Sequence, residues 1–111
     1  MKTSNVQATT TGMYYTLVTA GASGSRISGS ISVNGVGSTS EGLIRIYRNV
    51  GGGSRFLVTE LYVPAITAST TVPAFHTSFT DERLILDTGM TLEVALTVAN
   101  TLDFTARYQD L

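Results

Sequence analysis

The chain has 111 residues and a net charge of −1, and its composition excludes several classes of protein. The single lysine and six arginines are scattered without a basic cluster, which argues against nucleic-acid binding. The absence of cysteine excludes disulfides, iron–sulfur clusters and thiol nucleophiles, and no apolar stretch approaches the ~18 residues of a membrane span.

Alternation of apolar and polar residues with a period of two predicts an all-β fold. In the segment 91–99, for example, Leu92, Val94 and Leu96 share one face. Serine and threonine occupy the opposite face of several such segments, where β-branched threonine favours the extended chain. No window shows the spacing of an amphipathic helix. In chain order, the predicted strands cover residues 13–19, 25–33, 42–50, 54–63, 74–79, 83–87, 91–99 and 102–108.

Turn residues between these segments predict a single antiparallel β-sandwich or jelly-roll of about eight strands. We interpret residues 1–11 as an N-terminal arm or edge strand, with a candidate strand at 4–10, and residues 12–111 as the sandwich domain. Residues 64–73 interrupt the alternation and have a proline at each end. Because proline cannot donate to a β-ladder, we expect this segment to cross from one sheet to the other.

The segment 42–63 predicts a β-hairpin around the glycine triplet 51–53. A four-residue loop places Arg45 opposite Glu60, and a two-residue loop places Arg45 opposite Val58. The two registers differ by two residues and therefore keep the same faces. One face is expected to enter the core: Ile44, Ile46, Leu57, Thr59, Leu61 and Val63. The other face is the predicted interface: Leu43, Arg45, Tyr47, Phe56, Val58, Glu60 and Tyr62.

The mixture of side chains on this second face is the reason for predicting an interface. The outer face of a strand pair in a monomer is expected to be mainly polar, and burial of an aromatic side chain contributes about 2 kcal/mol. We therefore expect another subunit to cover this face. The competing interpretation is that the N-terminal segment or the 64–73 crossing covers it within the same chain.

The sequence Asp87-Thr88-Gly89, which follows an apolar run, resembles the active-site strand of aspartic proteases. In those enzymes the motif lies near the start of the chain, whereas here only 22 residues follow Gly89. Met90 also stands where the proteases carry a small residue. We predict instead that Asp87 forms a β-turn through side-chain bonds to nearby backbone amides.

The remaining candidates for chemistry are weak. His76 is the only histidine and lies on an alternating strand among hydroxyl side chains, so we expect it to be exposed. A catalytic triad or a zinc site would need further partners. Asp81 and Glu82 lack the spacing of a calcium loop, and the glycines 51–53 lack the following residues of a phosphate loop. We predict no catalytic, cofactor or metal site.

Several short segments occur in an order known from another group of proteins. The strand 42–47 is followed by a glycine-rich tip and by a strand that ends in Val-Pro-Ala at 63–65. Further on, residues 84–94 have the pattern Leu-x-Leu-x-x-Gly-x-x-Leu-x-Val. Over roughly residues 12–110, this arrangement resembles small virion proteins of tailed bacteriophages that are encoded among the head and tail genes.

The resemblance implies a β-sandwich or jelly-roll protein of the virion that decorates or stabilises the capsid as an auxiliary capsid protein. It implies a homotrimer that binds the major capsid protein, assembly in the bacterial cytoplasm, no cofactor and no enzymatic activity. The low charge and the preference for arginine over lysine agree with a protein that packs into an assembly. The alternative is a receptor- or carbohydrate-binding module of a phage tail or fibre, which predicts aromatic platforms in a groove. A third interpretation, a small hydrolase, would need titratable groups that converge in a pocket.

Overall fold

The computed structural model describes residues 1–111 and consists of ten β-strands joined by turns and loops. It confirms the all-β class predicted from the period-two pattern. No helical segment capable of crossing a bilayer is present. The strands are β1 (Lys2–Ala8), β2 (Tyr15–Thr19), β3 (Ser25–Ile27), β4 (Ser30–Gly35), β5 (Gly42–Asn49), β6 (Arg55–Val63), β7 (His76–Thr80), β8 (Ile85–Leu86), β9 (Thr91–Leu96) and β10 (Leu102–Asp110).

The strands form two antiparallel sheets with nested pairing. In sheet A, β10 lies between β1 on one side and β3 and β4 on the other, and β8 and β7 continue beyond β3 and β4. Sheet B has the order β2-β9-β5-β6. The first strand thus pairs with the last, β2 pairs with β9, β3 and β4 pair with β8 and β7, and the hairpin β5–β6 lies innermost. This winding of a long hairpin into two sheets is the jelly-roll arrangement.

The strand count is ten rather than about eight, for two reasons. Lys2–Ala8 forms a complete edge strand that pairs with β10 of the same chain along its whole length. The predicted strand 25–33 is divided at Ser28 and Gly29, where Gly29 adopts a φ of +67° that a strand cannot contain. The crossing segment 64–73 leads from sheet B to sheet A, as the two prolines indicated.

A β-bulge in the hairpin β5–β6 corrects both predicted registers. Arg45 lies opposite Glu60, as the four-residue loop required, but the register shifts by one residue after Ile46. Tyr47 therefore lies opposite Leu57. A shift of one residue exchanges the two faces of a strand. Leu57, expected in the core, is consequently 51% exposed.

The core lies between the two sheets and consists of the inward-facing side chains of nearly every strand. On β10, Leu102, Phe104 and Ala106 alternate with outward-facing residues and are fully buried. Phe104 is the largest of these side chains, and it lies between Val6 of β1 and Val33 of β4 in the register of sheet A. Sheet A and sheet B thus each present one outer face to the surroundings, and the two outer faces differ in chemistry.

Candidate functional site: the outer face of sheet B

Five of the seven predicted interface residues share the outer face of sheet B. Arg45 and Glu60 form an ion pair with Nε and Oε2 2.9 Å apart. Leu43 lies opposite Tyr62, whose hydroxyl donates to Oε2 of Glu41 at 2.6 Å. That bond raises the pKa of Tyr62, since the hydroxyl must keep its proton to donate it. Tyr47 completes the group as the next outward residue of β5.

The other two predicted residues leave this face because of the bulge. Phe56 lies opposite Arg48, which in turn lies opposite the core residue Leu92, so it belongs to the inward side of the strand at the end of the sandwich. Its side chain is nevertheless 57% exposed. Val58, at the bulge, is partly buried and packs against the core. Leu57 takes their place on the outer face.

A buried ion pair on β6 and β9 extends this face beyond the predicted residues. Arg55 Nε lies 2.6 Å from Oε1 of Glu93, whose side chain is only 8% exposed. The Arg55 guanidinium also stacks on the ring of Tyr14, 3.7 Å from its centroid. Tyr14 meets Tyr47 edge to face, with centroids 5.5 Å apart. The pair joins residues 38 positions apart, and the only signal for it in the sequence is a charged residue within the alternation of β9.

A cleft of about 220 Å³ opens between β5, β9 and the segment that precedes β2. Its walls include Met13, Tyr14, Arg45 and Tyr47. Residues 12–14 therefore lie against part of the predicted interface, although the intrachain cover expected from the sequence was the N-terminal segment or the 64–73 crossing. Leu57 and Tyr62 remain exposed. The Tyr14 ring already contacts Arg55 and Tyr47, so it is not a free aromatic platform.

The segment beside this cleft is held by hydrogen bonds to the Tyr15 hydroxyl. The Tyr15 oxygen lies 2.8 Å from Thr10 Oγ1, and it accepts bonds from the backbone N–H groups of Thr10 at 3.1 Å and Thr9 at 3.3 Å. The Thr10 and Thr9 side chains, followed by these amides, lower the pKa of Tyr15 to about 7 because they favour the phenolate. The residues before β2 are thereby fixed in position next to the cleft.

We expect one of the five tyrosines to ionise near neutral pH, as measured by the ultraviolet absorbance of phenolate. Tyr15→Phe should remove this transition, and Thr10→Val should move it to higher pH. Because the folded pKa lies below the ordinary value of 10.0, the unfolded chain holds more protons between about pH 7 and 10. The free energy of unfolding should therefore rise with pH across this window, relative to Tyr15→Phe. Titration of all five tyrosines near their ordinary pKa would contradict this expectation.

The residues considered for catalysis lie apart from this face. Asp87 belongs to a turn closed by a backbone bond from Met90 N–H to the Asp87 carbonyl, 3.0 Å long. The β-turn expected at Asp87 is therefore present, with Gly89 at a φ of +84°, but the backbone closes it and the expected bonds to the Asp87 side chain are not formed. His76 is exposed, as expected, and its Nδ1 lies 2.8 Å from Asn34 Oδ1. Asp81 caps its own turn by accepting a bond from Arg83 N–H.

Comparisons with known proteins, by a scan of protein-family models and searches of curated proteins and of solved structures, gave no match. No group of three or more histidine, aspartate or glutamate side chains lies close enough to hold a metal ion. The strand order and the residues of sheet B define a jelly-roll sandwich with an aromatic and charged outer face on that sheet.

Proposed function

We propose that this protein is a non-enzymatic structural protein of a bacteriophage particle, which decorates or stabilises the capsid. In this proposal the outer face of sheet B contacts other copies of the chain, in a homotrimer, and the major capsid protein. The protein would act in the virion after assembly in the bacterial cytoplasm.

The exposure of large apolar side chains on the outer face of sheet B carries the proposal. Leu57 is 51% exposed, Tyr62 57% and Met13 53%. Covering such side chains with a partner contributes on the order of 2 kcal/mol each. The outer face of sheet A instead carries mainly polar side chains, among them Asn34, His76 and Asp103, so sheet B offers the side of the sandwich suited to apolar contact.

Two further features support assembly through this face. The Arg45–Glu60 ion pair lies among the apolar side chains, and both of its side chains are about 40% exposed. A second protein that covers the pair would meet two opposite charges that already cancel each other. The jelly-roll fold is common in viral capsid proteins, although lectins and other classes share it. The resemblance of the sequence to small phage virion proteins points in the same direction.

Leu57→Asp tests the proposal, with the neighbouring Phe56→Asp as its matched control. Both side chains are more than half exposed, so neither change should unfold the chain. The two side chains lie on opposite faces of β6. A charge at Leu57 would therefore lie in the proposed contact, whereas a charge at Phe56 would lie outside it. In sedimentation velocity, we expect oligomers for the wild type and for Phe56→Asp, and monomers for Leu57→Asp.

Attachment to particles is the second measurement. We expect mass spectrometry to find the chain in virus particles purified from the cells that produce it. A wild-type chain that remains monomeric and is not found in particles would overturn the proposal. Oligomers of Leu57→Asp as stable as those of the wild type would show that the contact does not use this face.

A further inference from the structure

Two rows of polar side chains run across sheet A from β1 to β7, on the outer face opposite to the proposed assembly face. Each row takes one outward residue from each of β1, β10, β4 and β7. Neighbouring strands in a sheet are about 4.8 Å apart, so the polar ends form a regular array. The first row is Gln7, Asp103, Asn34 and His76, and the second row is Asn5, Thr105, Ser32 and Ser78.

Hydrogen bonds within the rows fix the side chains in pairs. Gln7 Nε2 donates to Asp103 Oδ1 at 2.8 Å, and Thr105 Oγ1 donates to Asn5 Oδ1 at 2.7 Å. At the other end of the first row, Asn34 Oδ1 and His76 Nδ1 are 2.8 Å apart. Each hydrogen bond uses one polar atom of each of its two residues. The second polar atom of each carboxylate or amide group is therefore held in place without a ligand.

Five residues of the two rows line a groove of about 420 Å³ over β1, β10 and β4: Asn5, Gln7, Asn34, Asp103 and Thr105. Asp103 Oδ2 and Gln7 Oε1 are acceptors, while the Nδ2 groups of Asn5 and Asn34 are donors. Asp103 and Asn34 are direct neighbours across the strands but form no hydrogen bond with each other. A residue with a free carboxylate acceptor thus neighbours a residue with a free amide donor, and the two are not bonded to each other.

We propose that this groove binds a neutral saccharide. A sugar hydroxyl is both a donor and an acceptor, so one hydroxyl could donate to Asp103 Oδ2 and accept from Asn34 Nδ2 of the neighbouring strand. A second hydroxyl can accept from Asn5 Nδ2 or donate to Gln7 Oε1. The groove volume falls within the roughly 300–1,000 Å³ typical of ligand pockets.

The lining disfavours other classes of ligand. The charged group that lines the groove is the carboxylate of Asp103, and no lysine or arginine is present to hold an anion. Val6 and Phe104 also line the groove, but Val6 packs against the core and the Phe104 side chain is fully buried, so neither side chain is free to hold a lipid or an aromatic group. The groove is instead lined by side-chain amides and a carboxylate, which are suited to a polyhydroxylated ligand.

Nuclear magnetic resonance titration of the isotopically labelled full chain tests the assignment. The probes are maltose, lactose, cellobiose and mannobiose, with sialyllactose as the acidic counterpart. We expect at least one neutral disaccharide to shift the amide signals of Asn5, Asn34, Asp103 and Thr105. Asp103→Asn and Asn34→Ala should each weaken its binding about tenfold, since each variant weakens or removes a hydrogen bond to the ligand.

Two control variants keep the result specific. Ser30→Ala lies on the same outer face but outside the groove, and it should leave saccharide binding unchanged. Leu57→Asp, on the other sheet, should also leave it unchanged whatever its effect on oligomers. Absence of shifts with all the neutral disaccharides, tighter binding of sialyllactose, or binding insensitive to both groove variants would overturn the proposal.

Discussion

Phe104→Ala is expected to lower the free energy of unfolding by about 3–5 kcal/mol, which is the usual cost of removing a buried phenylalanine side chain. The ring is fully buried between Val6 and Val33 on the central strand of sheet A, and it belongs to the core shared with sheet B. The surrounding strands are fixed by their ladders and can fill the cavity only in part. Because a domain of this size is stable by about 5–15 kcal/mol, the loss should lower the Tm by more than about 10 °C.

Phe56→Ala provides the matched control for this prediction. It removes the same side chain from a position that is 57% exposed, so the free energy of unfolding should change by less than about 0.5 kcal/mol. Urea titrations of the two variants, followed by circular dichroism, measure the difference directly. Similar losses from both substitutions would contradict the assignment of Phe104 to the core and of Phe56 to the surface.

The sandwich itself could be predicted because its strands are half-buried and their alternation is clear. In β10, the buried Leu102, Phe104 and Ala106 alternate with less buried polar residues, and a shift of one residue would expose the apolar side chains. The prolines at 64 and 73 similarly marked the crossing between sheets. Alternation of apolar and polar residues predicts a strand only where the strand is buried on one face.

The details of the interface could not be predicted, since the pattern fails at the bulge. Phe56, Leu57 and Val58 are three apolar residues in succession, so either register exposes an apolar side chain and neither is excluded. The contact between Arg55 and Glu93 requires β9 to lie beside β5, which is a long-range pairing that local alternation does not specify. The segment before β2, with Tyr14, has no period and its position depends on the hydrogen bonds of Tyr15.

The polar rows of sheet A illustrate the same limit. Alternation identified the outward residues of β4, β7 and β10, but their order across the sheet depends on the jelly-roll winding. Asn34 and Asp103 are far apart in sequence and become neighbours only because β4 pairs with β10. The groove is therefore a product of topology.

Arg55→Ala should cost about 3 kcal/mol of stability, considerably more than Arg45→Ala. The reason is the difference in burial between their partners. Glu93 is 8% exposed, and without Arg55 its closest side-chain partner is Asn49 Nδ2 at 3.5 Å, so a carboxylate remains in the protein with little compensation. Glu60 is 39% exposed and can be solvated when Arg45 is removed, so the loss there should be small. Urea titration of the two variants measures both values.

A second substitution separates the stranded charge from the other contacts of Arg55. Glu93→Gln removes the negative charge and keeps an oxygen that can accept from Arg55. If the buried carboxylate causes most of the loss, the double variant Arg55→Ala with Glu93→Gln should be more stable than Arg55→Ala alone. If the loss of the stacking of Arg55 on Tyr14 is responsible instead, the double variant should be no more stable than the single one, because Glu93→Gln does not restore that contact. Cation–π contacts contribute about 0.5–1 kcal/mol at exposed sites. Equal and small losses for Arg55→Ala and Arg45→Ala would contradict the role of Glu93 as a buried anion beneath the outer face of sheet B.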